Sequence, residues 1–158
     1  MNIRRLALLA VVLAWIPFAA SAQDRDVPYW ATIRPSATEL NMRVGPSPDY
    51  PISWIYQRPG LPLKVIRLHE SWRLVRDPAG DEGWVSSRLL SPDRGAIVIG
   101  RQPAAMRSGP SADSQLRWRA APGVVGRLGS CSNGWCELKV GQREGWVEQS
   151  HLWGVGDP

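Results

Sequence analysis

Two cysteines and two histidines have the widest chemical range in this chain. Cys131 and Cys136 enclose Ser132-Asn133-Gly134-Trp135, where Asn-Gly predicts a tight hairpin turn that would bring both sulfurs together. A disulfide closing so short a loop would stabilise the fold by about 2 kcal/mol. The rival interpretation is a metal or redox site, but a closed zinc site needs four ligands and only His69 and His151 could add nitrogen. The sequence therefore favours a structural disulfide over a metal site.

Catalytic groups are scarce. Nucleophilic catalysis needs a serine or cysteine beside an orienting base, and His151 with a reduced cysteine is the candidate pair for a small hydrolase. Asp81-Glu82 and Asp24-Arg25-Asp26 hold adjacent acids, but neighbours on a strand point to opposite faces and do not form a carboxylate pair. The Gly-Pro-Ser runs lack the pattern of a phosphate-binding loop. We predict no catalytic residue, no cofactor and no metal.

Aromatic residues are the stronger candidates for function. Tyr50, Trp54 and Tyr56 form a cluster just after the loop from Gly45 to Pro51. Flat aromatic faces suit sugar rings, and aromatic grooves bind Pro-rich peptides. This cluster is therefore predicted to bind a ligand.

A second candidate lies in the segment Trp135 to Val140. Here Cys136, Leu138 and Val140 alternate with Trp135, Glu137 and Lys139, which predicts that Trp135 lies on an exposed face. Trp72 is a weaker candidate, because the residues around it do not alternate so cleanly. The alternative is that both tryptophans cap the fold and pack under loops. Trp84 and Trp146, each between Gly and Val, are predicted to lie in the core.

The elements that position these residues are repeated. Met42 to Asp49 aligns with Met106 to Asp113, and at the same offset Trp54 aligns with Trp118, which joins the ligand-binding candidates. Further landmarks of the repeat are Pro59-Gly60 with Pro122-Gly123, Trp72 with Trp135, Gly83-Trp84-Val85 with Gly145-Trp146-Val147, and Leu90 with Leu152.

Each repeat is predicted to be a small, strongly bent β sheet or barrel. Short runs of strand-forming residues alternate with turn-forming clusters, and frequent Pro and Gly leave little room for a long helix. Asp77-Pro78-Ala79-Gly80 fits a type I turn. Five or six strands are expected in each unit. The link from Arg88 to Ala96 is short, so we expect the two units to lie against each other.

The run Leu40 to Ser47, the spaced Trp72, and Gly83-Trp84-Val85 followed by Leu89-Leu90 resemble bacterial SH3-like domains. The resemblance spans nearly all of residues 29–157 and is closest to exported members with two units. It implies an all-β fold of two tandem SH3-like barrels, at 29–91 and 95–157. It also implies a cell-envelope protein whose partner is peptidoglycan or an envelope protein or peptide. Domains of this family are often attached to wall-degrading enzymes, and this chain is expected to depart from that pattern in having no attached enzyme. The second unit departs from the family pattern more, with Ala105 in place of Asn41.

Residues 1–22 have the pattern of a cleaved signal peptide: Arg4 and Arg5, an apolar stretch, and the small residues Ala20-Ser21-Ala22. The apolar stretch is broken by Pro17 and no second one follows, so no transmembrane segment is expected in the mature chain. We expect a periplasmic or secreted protein.

Charge argues against nucleic acid as a partner. Loss of the two signal arginines would lower the formal net charge from +5 to about +3, and the basic residues are scattered among acids. The leading hypothesis is a non-catalytic envelope binding protein. A scaffold for protein–protein interaction ranks second and a small hydrolase third, and no oligomeric state is predicted.

Overall fold

The computed structural model describes residues 27–158, and strands make up most of its regular structure. The strands of unit 1 are β1 Tyr29–Ile33, β2 Leu40–Arg43, β3 Ile52–Tyr56, β4 Pro62–His69, β5 Trp72–Arg76, β6 Glu82–Ser86 and β7 Leu90–Ser91. The strands of unit 2 are β8 Gly95–Val98, β9 Ala104–Arg107, β10 Leu116–Ala120, β11 Val125–Ser132, β12 Trp135–Val140, β13 Arg143–Glu148 and β14 Leu152–Trp153. Two 3-10 turns, Ser87–Leu89 and Gln149–His151, precede β7 and β14.

The predicted signal peptide, residues 1–22, lies outside the described residues. Within residues 27–158, no helix has the length and hydropathy needed to cross a membrane.

Each unit forms its own antiparallel sheet, and the strand order is the same in both. The order is β3-β2-β6-β5-β4-β1-β7 in unit 1 and β10-β9-β13-β12-β11-β8-β14 in unit 2. The prediction of an all-β fold with two tandem SH3-like units is confirmed. Each sheet has seven strands rather than five or six, because the final strand of each unit returns to pair with its first.

The Gly-Trp-Val motif is explained by the packing of each core. Val85 and Val147 are fully buried, and Gly83 lies so close to the Met42 side chain that a Cβ would overlap it. Trp84 and Trp146 alternate with these residues and are only partly buried, outside both core clusters. The prediction that these two tryptophans lie in the core is wrong, because the period of two puts glycine and valine inward.

The predicted turns are present. The Gly80 amide donates to the Asp77 carbonyl oxygen, as a type I turn requires, and the Asp77 carboxylate accepts from the amides of Ala79 and Asp81 at 2.9 Å each. In unit 2, Asn133 and Gly134 have φ of 50° and 80° between β11 and β12. Positive φ at both central residues is the type I′ geometry, which fits the twist of the flanking strands.

The two units pack against each other, as the short link predicts. The Trp30 ring meets the Trp153 ring edge to face at 4.7 Å, and the Trp30 indole N–H donates to the Gly156 carbonyl. Arg58 reaches the Gly123 carbonyl, so a Pro-Gly turn of unit 2 contacts unit 1. Ile97, on β8 of unit 2, belongs to the core cluster of unit 1, so unit 2 contributes a side chain to that core.

Candidate functional site

The repeated Met-Arg-x-Gly-Pro-Ser segment holds the loop before each edge strand. Arg43 donates to the Tyr50 carbonyl at 2.6 Å, and Arg107 donates to the Ser114 carbonyl at 2.8 Å. Ser47 accepts from the Asp49 amide at 3.2 Å, and the equivalent bond recurs in unit 2. These side chains therefore shape a loop and are not free to contact a ligand through those groups.

Gly45 determines where the Tyr50 ring lies. A Cβ at Gly45 would be 2.6 Å from three atoms of that ring, so the ring packs directly over the glycine backbone. At the equivalent Gly109 the nearest atom is the Ser114 hydroxyl at 3.0 Å. The loop thus presents an aromatic ring in unit 1 and a small polar side chain in unit 2.

The strand after this loop is an edge strand that is exposed on both faces. β3 ends the sheet of unit 1, and Trp54 and Tyr50 are 59% and 46% exposed. Val44, Ile52 and Ile55 are exposed beside them. We call these five residues the Trp54 edge. An apolar group of this kind on a sheet edge is typical of an interaction site.

Tyr56 does not belong to this exposed group. It is 7% exposed, and its hydroxyl donates to the Asp77 carboxylate at 2.9 Å and lies 3.6 Å from the Met42 sulfur. Burial, together with this hydrogen bond and the charge of Asp77, raises the pKa of the Tyr56 phenol well above its usual value. Tyr56 is therefore a core residue that fixes the end of β3, because it pairs with a carboxylate from the distant turn after β5.

Trp118 has a different environment from Trp54. It lies on β10, the edge strand of unit 2, and is 41% exposed. The Arg143 guanidinium lies 4.7 Å from the centre of its ring, a cation–π contact. No such cation covers Trp54 among the described residues, so Trp54 offers more free aromatic surface.

Trp72 and Trp135 occupy equivalent places at the start of β5 and β12. Both are partly buried, and in the β12 segment Cys136 and Leu138 point inward while Lys139 is exposed, which matches the predicted alternation. Trp135 pairs in register with Ser132 and Glu148. These two tryptophans lie apart from the edge strands, so the six predicted ligand-binding residues do not form one site.

The sulfurs of Cys131 and Cys136 are joined in a disulfide across the β11–β12 hairpin, as predicted. Their Cα atoms are 4.1 Å apart and pair directly in the ladder. A sulfur in a disulfide cannot act as a thiolate, so the pair with His151 considered above is not formed. His151 instead lies 4.0 Å from Glu148, and His69 contacts the Trp84 ring edge to face. No group of three or more metal-ligating side chains occurs among residues 27–158.

Sequence reasoning missed a charge reversal between the two units at the position of Arg143, the residue that covers Trp118. Strand register makes Asp81 the equivalent of Arg143 and Arg76 the equivalent of Lys139. The charge difference is present in the sequence repeat, but it can be recognised only when the β5–β6 and β12–β13 hairpins are aligned by their strand pairing.

Comparison with known proteins finds a matching family model and a related amidase. A model of the family described as "Bacterial SH3 domain" matches residues 36–92 and 100–154, which together are more than half of the chain. The chain is 25% identical over 126 residues to "Putative N-acetylmuramoyl-L-alanine amidase YrvJ" of Bacillus subtilis strain 168, covering 72% of this chain and 24% of that protein. The chain thus spans about a quarter of that relative's length.

Two solved structures resemble the fold at low similarity. They are NlpC2 and NlpC1 from Trichomonas vaginalis, each 11% identical with a TM-score of 0.37. The match covers 80% of this chain and 48% of NlpC2, and 83% of this chain and 47% of NlpC1.

Proposed function

The chain belongs to the bacterial SH3 domain family, and we propose that it is a cell-envelope binding protein whose unit 1 binds peptidoglycan or a peptide. The observation that carries this proposal is the Trp54 edge, where the edge strand β3 and the loop before it present exposed aromatic and aliphatic side chains. The relative from Bacillus subtilis is named for N-acetylmuramoyl-L-alanine, a sugar linked to an amino acid. Aromatic faces stack on sugars, and sheet edges bind extended peptides.

The loop before β3 supports this role because it is held in one shape. The Arg43 bond to the Tyr50 carbonyl and the packing of the Tyr50 ring on Gly45 both restrain the aromatic side of the edge. A site whose side chains are already positioned loses less entropy when a ligand binds. The Trp54 edge therefore has both the exposed surface and the rigidity of a binding site.

A sedimentation assay with purified peptidoglycan tests the proposal. High salt should be used so that charge contacts are screened and apolar contacts remain. We expect Trp54→Ala and Ile52→Ala to release the protein from the pellet. Leu116→Ala is the matched control, because Leu116 pairs with Arg107 as Ile52 pairs with Arg43. Equal retention of wild type and Trp54→Ala would contradict a site on this edge.

The exposed strand also favours a second candidate, a scaffold that binds another envelope protein. A partner could add a strand to β3, whose outer edge has no neighbour in the sheet. A photo-crosslinking residue at Ile55 should then capture a specific protein in intact cells. Capture that is unchanged when the crosslinker stands at Leu116 would argue against this edge as the contact.

We propose that binding is the whole activity of this chain. The disulfide occupies both sulfurs, and His69 and His151 lie against an aromatic ring and a glutamate rather than beside a nucleophile. Purified protein is therefore expected to release no soluble fragments from peptidoglycan. Release that disappears in His151→Ala would instead identify a hydrolase.

We propose further that the protein is exported, with residues 1–22 removed and domains at 29–91 and 95–157. The pattern of basic, apolar and small residues at the N-terminus supports this proposal. Mass spectrometry of protein recovered from the periplasm or medium should find Gln23 as the first residue. Recovery of chains that begin at Met1 would count against cleavage.

A further inference from the structure

The edge strand of unit 2 carries a cluster of cations around an exposed tryptophan. A shallow groove beside β10 is lined by Arg117, Trp118, Lys139, Gln142 and Glu144, among others. Arg143, on β13, reaches the Trp118 ring across β9, which lies between β13 and β10 in the sheet. We call this set, with Arg143, the Trp118 groove.

A β-bulge explains why Arg117 contributes to this groove. Leu116 pairs with Arg107 and Trp118 pairs with Met106, so Arg117 is the extra residue on β10. A bulge changes the direction of a side chain that would otherwise point to the opposite face. Arg117 therefore lines the same groove as the tryptophan next to it.

The cations of the Trp118 groove lack acidic partners. Within residues 27–158, Arg117, Lys139 and Arg143 form no salt bridge, although the exposed Arg76 of unit 1 pairs with Glu82 at 2.6 Å. Glu144, which pairs with Lys139 in the strand register, is the single acid lining the groove. The groove therefore has positive charge available to an external anion.

The fold does not require two of these cations, because unit 1 has other residues in place of Arg117 and Arg143, although it keeps a cation, Arg76, in place of Lys139. At the bulge, Ser53 replaces Arg117 and its hydroxyl donates to the Met42 carbonyl at 3.1 Å. Asp81 occupies the position equivalent to Arg143, so unit 1 has the opposite charge at that position. The same strands form with either residue at these two positions, so Arg117 and Arg143 are available for a role other than folding.

We propose that the Trp118 groove binds an acidic glycan, a sugar chain whose rings carry carboxylate groups. A guanidinium stacked on an indole keeps its N–H groups free at its edge, where they can bind a carboxylate in two parallel hydrogen bonds. Arg117 and Lys139 would bind further carboxylates, and the exposed part of Trp118 would contact a sugar ring. This inference goes beyond the proposed function, since it concerns another strand and a charged ligand.

A glycan fits the groove better than a membrane surface does. Insertion into a bilayer needs a broad apolar face. On β10 the exposed large apolar side chains are Leu116 and Trp118, and they alternate with Arg117 and Arg119. Cationic side chains on either side of a flat indole ring are complementary to a polymer in which each sugar ring carries a carboxylate.

Fluorescence titration of the mature chain with oligogalacturonate tests the proposal, and the fully methyl-esterified oligomer is the uncharged control. We expect the acid form to bind, with an affinity that falls as salt is raised, and the ester to bind at least about tenfold more weakly, a difference of about 1.4 kcal/mol. Arg143→Asp, which installs the residue of unit 1, should weaken binding of the acid form by about tenfold or more. Arg117→Ser is a second variant that also copies unit 1.

Arg101→Asp is the matched control, because Arg101 is exposed in the loop between β8 and β9 and makes the same change in charge. It should leave the affinity within about twofold of wild type, because its separation from the groove leaves only a screened charge effect. Equal binding of acid and ester, or equal weakening by Arg101→Asp and Arg143→Asp, would overturn the proposal. So would tighter binding to phosphatidylglycerol vesicles than to the oligomer. Trp54→Ala should leave this titration unchanged, so failure of the unit 1 proposal and failure of this one are distinguishable.

Discussion

Equivalent residues around the two edge strands differ in size and charge. Tyr50, Ser53 and Asp81 of unit 1 correspond to Ser114, Arg117 and Arg143 of unit 2, while the arginines that hold the loops are kept. The inward residues Met42 and Met106 are also kept. Buried positions differ as well, with Leu40 and Tyr56 of unit 1 replaced by Ala104 and Ala120 in unit 2. The exposed differences nevertheless give the two edge strands different chemistry on one backbone, which is the basis for proposing two separate binding surfaces.

The first prediction concerns the buried hydroxyl of Tyr56. Tyr56→Phe removes the 2.9 Å hydrogen bond to Asp77 and leaves that carboxylate oxygen without its donor. We expect the free energy of unfolding in urea to fall by about 1–3 kcal/mol. Tyr50→Phe is the control, because Tyr50 is exposed and should cost nothing measurable. Equal stability of wild type and Tyr56→Phe would show that the bond contributes nothing.

The same residue predicts a loss of stability at high pH. Burial and Asp77 raise the pKa of the folded Tyr56 phenol, whereas an unfolded tyrosine ionises near about pH 10. The stabilisation is therefore present below about pH 10 and is lost as the pH rises, because only the unfolded chain releases the proton. Urea unfolding from about pH 8 to pH 11 should show a steeper decline for wild type than for Tyr56→Phe. Parallel declines would contradict this assignment.

At the scale of elements, the third prediction concerns the loop before β3. Gly45→Ala places a methyl group against the Tyr50 ring and should displace it from the Trp54 edge. We expect weaker retention on peptidoglycan in high salt with little change in the melting temperature, since the group that must move is the Tyr50 ring, which is exposed. Gly109→Ala is the matched control, because only the Ser114 hydroxyl must move. Full retention by Gly45→Ala would mean that the Tyr50 ring is not needed.

How far the elements could be predicted depends on whether local sequence determines them. The Asn133-Gly134 turn and the disulfide beside it depend on neighbouring residues, and both were predictable. The burial of Tyr56 depends on a carboxylate 21 positions later, which no local pattern indicates. The outward position of Trp84 depends on the Met42 side chain that fills the space next to Gly83. Periodicity thus predicted strands, while contacts across the sheet decided which aromatic residues are exposed.

At the scale of the whole molecule, the internal repeat predicted two units and the short link predicted their contact. The details of that contact were not predictable, because Trp30 and Trp153 belong to opposite ends of the repeat and meet only after both sheets form. Arg94, in the link between the units, also donates to the Gly154 carbonyl at 3.0 Å, which connects the link to the C-terminal segment. The two proposed binding surfaces therefore belong to units that contact each other rather than to units joined only by a flexible tether.

The fourth prediction tests this coupling through Gly95 on β8. A Cβ at Gly95 would lie 2.6 Å from the Gly60 carbonyl oxygen and 2.8 Å from the Thr32 methyl group, so the units approach too closely for any larger residue. Gly95→Ala should lower the free energy of unfolding by about 1–3 kcal/mol and should speed amide hydrogen exchange in β1 and β4 of unit 1. Gly109→Ala, a surface-loop change in the same unit, should leave β1 and β4 protected. If Gly95→Ala accelerates exchange only within unit 2, the two units are independent and the junction transmits no stability.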